Sequence, residues 1–332
     1  MALAAAVAFT GRKKILVFRK GYHGSTLYFP STLSNVNINL PHDFVIAPYN
    51  DIPGTRAIIE ALPSESLAAI LVEPIQGNGG CIVGSKEFLH YLDVTAHKID
   101  AAFIVDEVMT SRLSYHGLSS ELGLKPDLIT LGRWVGGGMT FGAFGGRRDG
   151  GIMSLLDPRN GVLSHSGTFN NNIVTMAAGC AGLELYNEWV VHRLNALGES
   201  LKSGVEGVLK KHGINQNSCT DRCPKLNEDE SPFTGVSSEH LSNSISVESL
   251  SLRESKAAMW ISGQGSMLNV HFSGESEKNL RSLFWHHMLE QGIYLAQRGF
   301  IALHMELFDQ HIEKFIHGVD SFVSKYRIAL AS

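Results

Sequence analysis

Short apolar runs alternate with segments of helical periodicity along the first two thirds of the chain. Five short apolar runs predict buried strands, at residues 15–18, 67–72, 101–105, 128–131 and 141–144. Apolar positions that recur every three or four residues predict helices over 55–62, 85–98, 173–191 and 194–211. Strand, helix and strand at this spacing favour a mainly parallel sheet with right-handed crossovers.

The pattern changes in the last third of the chain. Residues 265–272 alternate between apolar and polar side chains, which predicts a strand, and further elements follow it. They are a helix over 276–291, a short strand at 293–295 and a final helix over 309–326. We therefore expect a large α/β domain over 1–192 and a small C-terminal α+β domain over 193–332.

Two segments lack such a pattern. Residues 27–53 are rich in Pro, Asn and Ser, which predicts an irregular connection. Residues 215–256 are crowded with Ser, Asn and Glu and predict an inserted, largely disordered loop. That segment contains Cys219 and Cys223, the one close pair among the four cysteines of the sequence. Because no second pair matches it, an ordinary loop is favoured over a structural zinc site.

Composition narrows the class of protein. The chain is 44% hydrophobic and 18% charged with a net charge of -4, which is typical of a soluble globular protein. It has no basic run, which argues against nucleic-acid binding. The N-terminus is apolar first and basic afterwards, the reverse of a secretory signal, and no apolar run approaches the length of a membrane span. We expect a cytoplasmic protein without a metal site.

Charged side chains and glycines follow two of the predicted strands. Asp106 and Glu107 close one strand, and Arg133 follows the next one ahead of three consecutive glycines. Ligands of open α/β sheets bind at the carboxyl ends of the strands, so an acid and a cation at this edge predict a cofactor site. The sequence Gly-Tyr-His-Gly after the first strand brings Tyr22 and His23 near the same edge, although an exposed turn explains these two residues equally well.

Five motifs in this order resemble those of the class-III pyridoxal-phosphate-dependent aminotransferases. They are EPIQGNGG, IVDEVMTSRL, PDLITLGRWVGGGMTFGAFGG, HSGTFNNN and GIYLAQRGF. The chain is most similar to glutamate-1-semialdehyde 2,1-aminomutase-like and β-amino-acid aminotransferase-like members, over nearly its whole length apart from 215–256. The resemblance implies a fold-type-I α/β transferase, with a mainly parallel sheet of the seven-stranded type flanked by helices and a smaller C-terminal domain.

The resemblance also implies pyridoxal 5'-phosphate as the cofactor, an electron sink that the protein holds and tunes. Asp106 matches the carboxylate that pairs with the cofactor's ring nitrogen. Outside this motif, an aspartate at a strand end is more often a helix cap or a surface group. Val108 matches the residue that packs on one face of the ring, a role that is compatible with core packing, and Tyr22 or His23 would pack on the other face.

Other matched positions surround this centre. Asn78 lies in the loop that contacts the ring's phenolic oxygen in the family, with Glu73 beside it. Thr168 matches the residue that binds the phosphate of the neighbouring subunit, which implies a homodimer. Arg298 is placed to bind a substrate carboxylate through two parallel hydrogen bonds, although a solvated arginine explains it nearly as well.

Arg133 departs from the family pattern. The family places a lysine here, whose amine forms the Schiff base with the cofactor and then moves the proton. A guanidinium stays charged and is not a nucleophile, and no other lysine occupies an equivalent strand end. We therefore expect no covalent attachment of the cofactor and no standard transamination.

The start of the chain is a second departure. Family members carry a Gly-Ser/Thr-Glu-Ala turn at a helix N-terminus that holds the phosphate. Here Met1 begins inside the helix that should follow that turn, so we expect an N-terminally shortened cofactor domain.

Three hypotheses are compatible with these residues. The first is an amino-group-transferring enzyme for a small amino acid or amino-keto substrate that has lost activity at Arg133. The second is a lysine-independent enzyme that uses pyridoxal or pyridoxamine phosphate with His23 or His165 as the base. The third is a catalytically dead homologue that acts as the partner subunit of an active one.

Overall fold

The computed structural model describes residues 1–31, 37–147, 151–159, 162–214 and 258–331. The predicted inserted loop at 215–256 lies outside the described residues, and so does the cysteine pair within it.

The strands are β1 (Lys14–Phe18), β2 (Asp43–Ala47), β3 (Leu67–Val72), β4 (Ile75–Gln76), β5 (Ile82–Val83), β6 (Ala102–Asp106), β7 (Leu128–Gly132), β8 (Gly142–Gly146), β9 (Ala258–Gln264), β10 (Met267–Ser273) and β11 (Phe300–Ala302). The helices are α1 (Ala2–Thr10), α2 (Ile52–Ala61), α3 (Lys86–Lys98), α4 (Leu118–Glu121), α5 (Ile173–Leu185), α6 (Glu188–Lys211), α7 (Glu277–Glu290) and α8 (Asp309–Ala331). Within the described parts of the chain, no helix has both the length and the apolar character needed to cross a bilayer.

The large sheet has six strands in the order β2-β1-β3-β6-β7-β8. Every neighbouring pair is parallel except β7 and β8, which run antiparallel. Successive residues of β1 enter different cores, since Leu16 packs with α3 on one face while Ile15 packs with α1 on the other. Burial on both faces explains why these strands are continuous apolar runs. The prediction of a mostly parallel sheet flanked by helices is confirmed.

The prediction of an irregular connection over 27–53 is wrong in one part. β2 lies within it and pairs residue for residue with β1, from Lys14 opposite Asp43 to Phe18 opposite Ala47. The apolar run of β2 is only four residues long, and the prolines and asparagines around it dominate the local composition.

The prediction of one helix over 173–191 is also wrong, because the helix is interrupted at Tyr186 and Asn187. α5 ends before Tyr186, and α6 begins with Asn187 as its N-cap, whose side chain accepts a hydrogen bond from the Val190 amide at 3.1 Å. Asparagine is a preferred N-cap residue, and its cap starts a new helix inside a continuous helical pattern.

The small sheet has the order β11-β10-β9 and is antiparallel. The predicted strand at 293–295 is wrong, since β11 lies seven residues further on. The Ile293 amide instead donates to the Met288 carbonyl at 2.8 Å, and the Leu295 carbonyl accepts from the Trp285 indole at 2.9 Å. This apolar run therefore closes the end of α7 and does not pair with a strand.

One hydrophobic core joins the small sheet to α6, α7 and α8. Phe272, Phe284 and Phe322 meet edge to face or tilted, with ring centroids 5.1 to 6.1 Å apart. The apolar face of α6, from Val190 to Leu209, belongs to this core, so the expected domain boundary between residues 192 and 193 falls inside α6.

The small sheet contacts the loop between β4 and β5. The Gly80 carbonyl accepts a hydrogen bond from the Ser262 hydroxyl at 2.7 Å and lies 2.9 Å from Nε2 of His271. The imidazole of His271 stacks on Trp260, with centroids 4.9 Å apart and planes at 7°. A partly buried histidine therefore joins the small sheet to the loop between β4 and β5.

This contact predicts acid lability. Burial lowers the pKa of His271 to about 4 from 6.5, an effect that Arg281 and Lys20 reinforce and the Gly80 carbonyl opposes. The unfolded chain binds the proton near pH 6.5 and the folded one only near pH 4, so the free energy of unfolding falls as the pH falls through this window, by on the order of 3 kcal/mol. Urea denaturation at the two ends of the window should show a smaller loss for His271→Gln. Equal pH dependence in both proteins would contradict the assignment.

Candidate active site

The carboxyl ends of β1, β3, β6 and β7 meet at one cavity of about 1490 Å³. The cavity is lined by most of the residues that the sequence nominates, namely Tyr22, His23, Glu73, Asn78, Asp106, Val108, Arg133 and Arg298. Thr168 is exposed and is not part of the lining, although its neighbours Phe169 and Asn170 are. The sequence therefore predicts a set of side chains that the fold brings to one place.

Asp106 forms a buried ion pair with His23 at the floor of this cavity. Its Oδ2 lies 2.7 Å from Nδ1 of His23, and its Oδ1 accepts from the Val108 amide at 3.0 Å. The two side chains are 8% and 5% exposed. Burial raises the pKa of Asp106, but the hydrogen bond and charge of His23 outweigh burial and leave that pKa below its usual value. Asp106 is therefore a carboxylate that stays ionised at neutral pH.

His23 is held in turn by two carboxylates. Burial lowers the pKa of the imidazole, whereas the hydrogen bond to Asp106 and the charges of Asp106 and Glu73 raise it above 6.5 overall. Its ring also lies 6.4 Å from the ring of Phe29. Since His23 touches the carboxylate, Tyr22 is the better placed of the two for stacking on a ligand ring, and that role stays a prediction.

Glu73 fastens two loops to the end of β3. Its Oε2 accepts from the Tyr22 amide at 3.0 Å and its Oε1 from the Gly77 amide at 3.2 Å. A Cβ on Gly21 would lie 2.8 Å from the Phe18 carbonyl and 3.8 Å from Glu73 Oε2, so only glycine lets this turn close. Burial, aided by the charge of Asp106, raises the pKa of Glu73 to about 7, although His23 and the two amides oppose the rise.

The adjacent acid Glu107 has a different role. Its carboxylate accepts from the amides of Leu118 at 2.9 Å and Ser119 at 3.0 Å and from the Thr110 hydroxyl at 3.2 Å. These are the first amides of α4, which Glu107 therefore caps. Successive strand residues point to opposite sides, so only Asp106 of this pair faces the cavity.

Arg133 follows β7 in a left-handed backbone conformation, with φ of 52°. It opens a 3-10 turn (Arg133–Gly136) whose Trp134 indole donates to the Ser111 hydroxyl at 3.1 Å and packs 4.9 Å from the Tyr186 ring. The side chain of Arg133 is exposed to the cavity, and none of the hydrogen bonds or ion pairs observed among the described residues involves it. The turn thus presents a guanidinium to the cavity.

Asn78 and Arg298 meet at the edge of the cavity. Nη1 of Arg298 donates to Oδ1 of Asn78 at 3.3 Å, and the guanidinium lies 5.6 Å from the centroid of the Phe300 ring. Arg298 is exposed, so its remaining donors are accessible to a ligand.

Further lining residues have no role assigned by the sequence motifs, although Phe141 lies within the third of them. His42 comes from the stretch before β2, and Phe141 follows the glycine turn. The first turn of α1, from Met1 to Ala4, also opens onto the cavity, where helix N-termini favour anions. In the described parts of the chain, no cluster of three or more His, Cys, Asp and Glu side chains has the geometry of a metal site.

The His23–Asp106 pair predicts a specific pattern of stability. The variant His23→Phe leaves a buried carboxylate without its counter-charge, so the free energy of unfolding should fall by on the order of 3 kcal/mol. Asp106→Asn in the same chain removes the stranded charge and should recover most of that loss. Urea denaturation of both variants tests the pair, and a His23→Phe protein as stable as the wild type would contradict it.

Comparison with known proteins identifies the family. The model of the aminotransferase class-III family matches residues 1–217. The β-phenylalanine transaminase of Variovorax paradoxus is 41% identical over 334 residues, covering 97% of this chain and 66% of the relative. A glutamate-1-semialdehyde 2,1-aminomutase of Anaeromyxobacter sp. (strain K) is 32% identical over 325 residues, covering 91% of this chain and 64% of the relative. The chain thus spans slightly less than two thirds of the length of these curated relatives.

The fold agrees with the sequence. A crystal structure of a β-phenylalanine aminotransferase from Variovorax paradoxus matches with a TM-score of 0.81 at 38% sequence identity, covering 99% of this chain and 68% of that chain. The resemblance inferred from the five motifs is confirmed. This chain belongs to the class-III aminotransferases, a family of fold-type-I transferases whose cofactor is pyridoxal 5'-phosphate.

Proposed function

We propose that this chain binds pyridoxal 5'-phosphate without a covalent bond, in a site of the amino-group-transfer type for a small amino acid or amino-keto substrate. The observation that carries the proposal is the ionised Asp106 at the floor of a cavity whose attachment position is Arg133. A buried carboxylate facing a cavity fits a cationic ring nitrogen, so the residues present fit the cofactor except at that position.

The residues around Asp106 support a bound ring. The Val108 side chain would pack on one face of the ring and Tyr22 on the other. Asn78 would donate to its phenolic oxygen, and the first turn of α1 would face the phosphate. When bound, the cofactor supplies an electron sink, and Asp106 deepens it by keeping the ring nitrogen protonated.

Arg133 supports a loss of standard transamination in this chain. A guanidinium neither attacks a carbonyl carbon nor returns a proton, because it stays charged at any pH that a protein tolerates. It can still pair with an anionic group of the cofactor or substrate. The site as built therefore binds and orients a ligand, but it has no amine at the attachment position.

Arg298 supports an acidic substrate. The relatives are named for β-phenylalanine and for glutamate-1-semialdehyde, and we propose a substrate of this general kind, with a carboxylate held by Arg298. Its pairing with Asn78 leaves further N–H donors of the guanidinium for a carboxylate.

The apolar surface around the start of α5 supports a homodimer. Phe169, Ile173 and Val174 are 84%, 81% and 56% exposed. Contiguous exposed apolar side chains mark protein contacts, and a second copy of this chain would cover them. Thr168 lies beside Phe169 and outside the lining of its own cavity, so it would face the cavity of the partner.

The same geometry favours a second candidate function. If the partner is an active paralogue, Thr168 would complete the partner's phosphate site while Arg133 keeps this chain inactive. Its cavity would then serve only to bind the cofactor. Co-purification from the native source separates the two functions, because a strictly homomeric protein excludes the second.

Restoring the amine at position 133 tests the proposed function. Wild-type protein should bind pyridoxal phosphate reversibly and carry no adduct after borohydride reduction. Arg133→Lys should give a reduced adduct at residue 133, found by peptide mass spectrometry, while Arg133→Gln serves as the control that gives none. A wild-type protein that fails to bind the cofactor, or that is labelled in this cavity, would contradict the proposal.

A charge on the apolar surface tests the dimer. Ile173→Asp places a carboxylate in the proposed contact, so sedimentation velocity should show a dimer for the wild type and a monomer for the variant. Ile328→Asp, at a residue 89% exposed on helix α8 of the C-terminal core, is the matched control and should leave the dimer intact. A monomeric wild type would refute the arrangement.

A further inference from the structure

Two neighbouring strands of the small sheet hold one carbonyl group of the large domain. Ser262 on β9 and His271 on β10 both reach the Gly80 carbonyl, at 2.7 and 2.9 Å, and their own Oγ and Nε2 atoms are 2.6 Å apart. A Cβ on Gly80, whose φ is 102°, would lie 2.4 Å from Cε1 of His271. The approach is therefore close enough to require glycine.

The hydrogen-bond donors define the state of the histidine. Because a carbonyl oxygen only accepts, we assign the hydrogen to Nε2 of His271, which shares it between the Gly80 carbonyl and Oγ of Ser262. The amide nitrogen of Asn269, 3.3 Å from Nε2, then lies beside this donor without a hydrogen bond to it. The Ser262 hydroxyl then donates to the same carbonyl. Trp260 stacks on the imidazole at 4.9 Å and fixes the direction of Nε2. These three groups form one connected set of contacts, called the Gly80 clasp below.

The Gly80 clasp is connected to Arg298 by two short paths. On the small sheet, His271 follows Val270, whose amide donates to the Gly299 carbonyl at 2.9 Å, and Gly299 follows Arg298. On the other side, Gly80 lies two residues after Asn78, which accepts the hydrogen bond from Arg298. The clasp therefore closes a ring of contacts that includes the exposed Arg298–Asn78 hydrogen bond.

We propose that Ser262 and His271 are positioning residues for the carboxylate site: by holding Gly80 they keep Asn78 and Arg298 together at the mouth of the cavity. The proposal rests on the proposed function in one respect, the assignment of a substrate carboxylate to Arg298. Without the clasp, the loop 77–81 separates from the small sheet, and Arg298 loses the partner that orients its guanidinium.

Matched variants separate the hydrogen bonds from the packing. His271→Phe keeps a flat ring against Trp260 but has no N–H, whereas His271→Gln keeps an amide donor. Ser262→Ala removes the hydroxyl, and Ser262→Thr retains it. Each removed donor should speed amide hydrogen exchange in the peptide covering 77–81, measured by mass spectrometry on the unliganded protein, while Gln and Thr should restore the wild-type rate.

The second readout is affinity for 3-phenylpropanoate, a carboxylate probe without an amino group, measured by calorimetry. His271→Phe and Ser262→Ala should weaken binding of the probe about five- to tenfold, as expected for one lost neutral hydrogen bond. His271→Gln and Ser262→Thr should bind the probe as tightly as the wild type. Arg298→Gln removes the guanidinium itself and therefore gives the affinity expected when the carboxylate site is lost completely.

The two readouts distinguish failure of the inference from failure of the proposed function. The positioning role is overturned if amide exchange in 77–81 is unchanged in His271→Phe and Ser262→Ala, whatever the affinity for the probe. It is also overturned if exchange is equally fast in His271→Gln and His271→Phe. Faster exchange throughout the small sheet in all four variants also overturns it, because that pattern is general destabilisation. If the probe binds the wild type and Arg298→Gln equally, the assignment of a substrate carboxylate to Arg298 is overturned. The exchange data alone then test whether Ser262 and His271 hold the loop 77–81.

Discussion

A carboxylate buried at the end of a parallel strand needs a counter-charge, and much of this site follows from that need. Asp106 lies 2.7 Å from His23, and His23 sits on a turn that Glu73 holds through the Tyr22 amide. The strands β1, β3 and β6 are neighbours, so their ends bring the three ionisable groups together. The low pKa of Asp106 and the raised pKa of His23 are two sides of one interaction. In the proposed function, Asp106 of this cluster would pair with the cationic ring nitrogen of the cofactor.

Elements whose residues form a clear local pattern can be predicted from the sequence, whereas elements that are stabilised by tertiary contacts are missed. The strand at 67–72 is evident because burial on both faces leaves only apolar residues, as β3 confirms. β2 is missed because its stability comes from pairing with β1, not from its surroundings in sequence. Likewise, the apolar run at 293–295 fits the pattern of a strand. In the structure its backbone forms hydrogen bonds with residues of α7, and its apolar side chains pack in the core of the small domain.

The same limit applies to the site. Family motifs nominate Asp106, but adjacent Glu107 has the same chemistry, and only the pleat of β6 separates a cavity carboxylate from a helix cap. The contact between His23 and Asp106 joins residues that are 83 positions apart in the sequence, so no local pattern predicts it. Arg133 is informative in the opposite way, because a guanidinium is not a nucleophile whatever the surrounding fold, and the lack of covalent attachment that it implies stays a prediction. The turn around it keeps its shape through Trp134 and its packing on Tyr186.

The central claim is that the charge of Asp106 faces the ring nitrogen of a bound cofactor. Titration of the protein with pyridoxamine 5'-phosphate, followed by tryptophan fluorescence, tests this claim in wild type and Asp106→Asn. The variant keeps the size of the side chain but loses its charge, so we expect the dissociation constant to rise about tenfold or more, as for a charge-assisted hydrogen bond. Equal affinity of the two proteins would contradict the account.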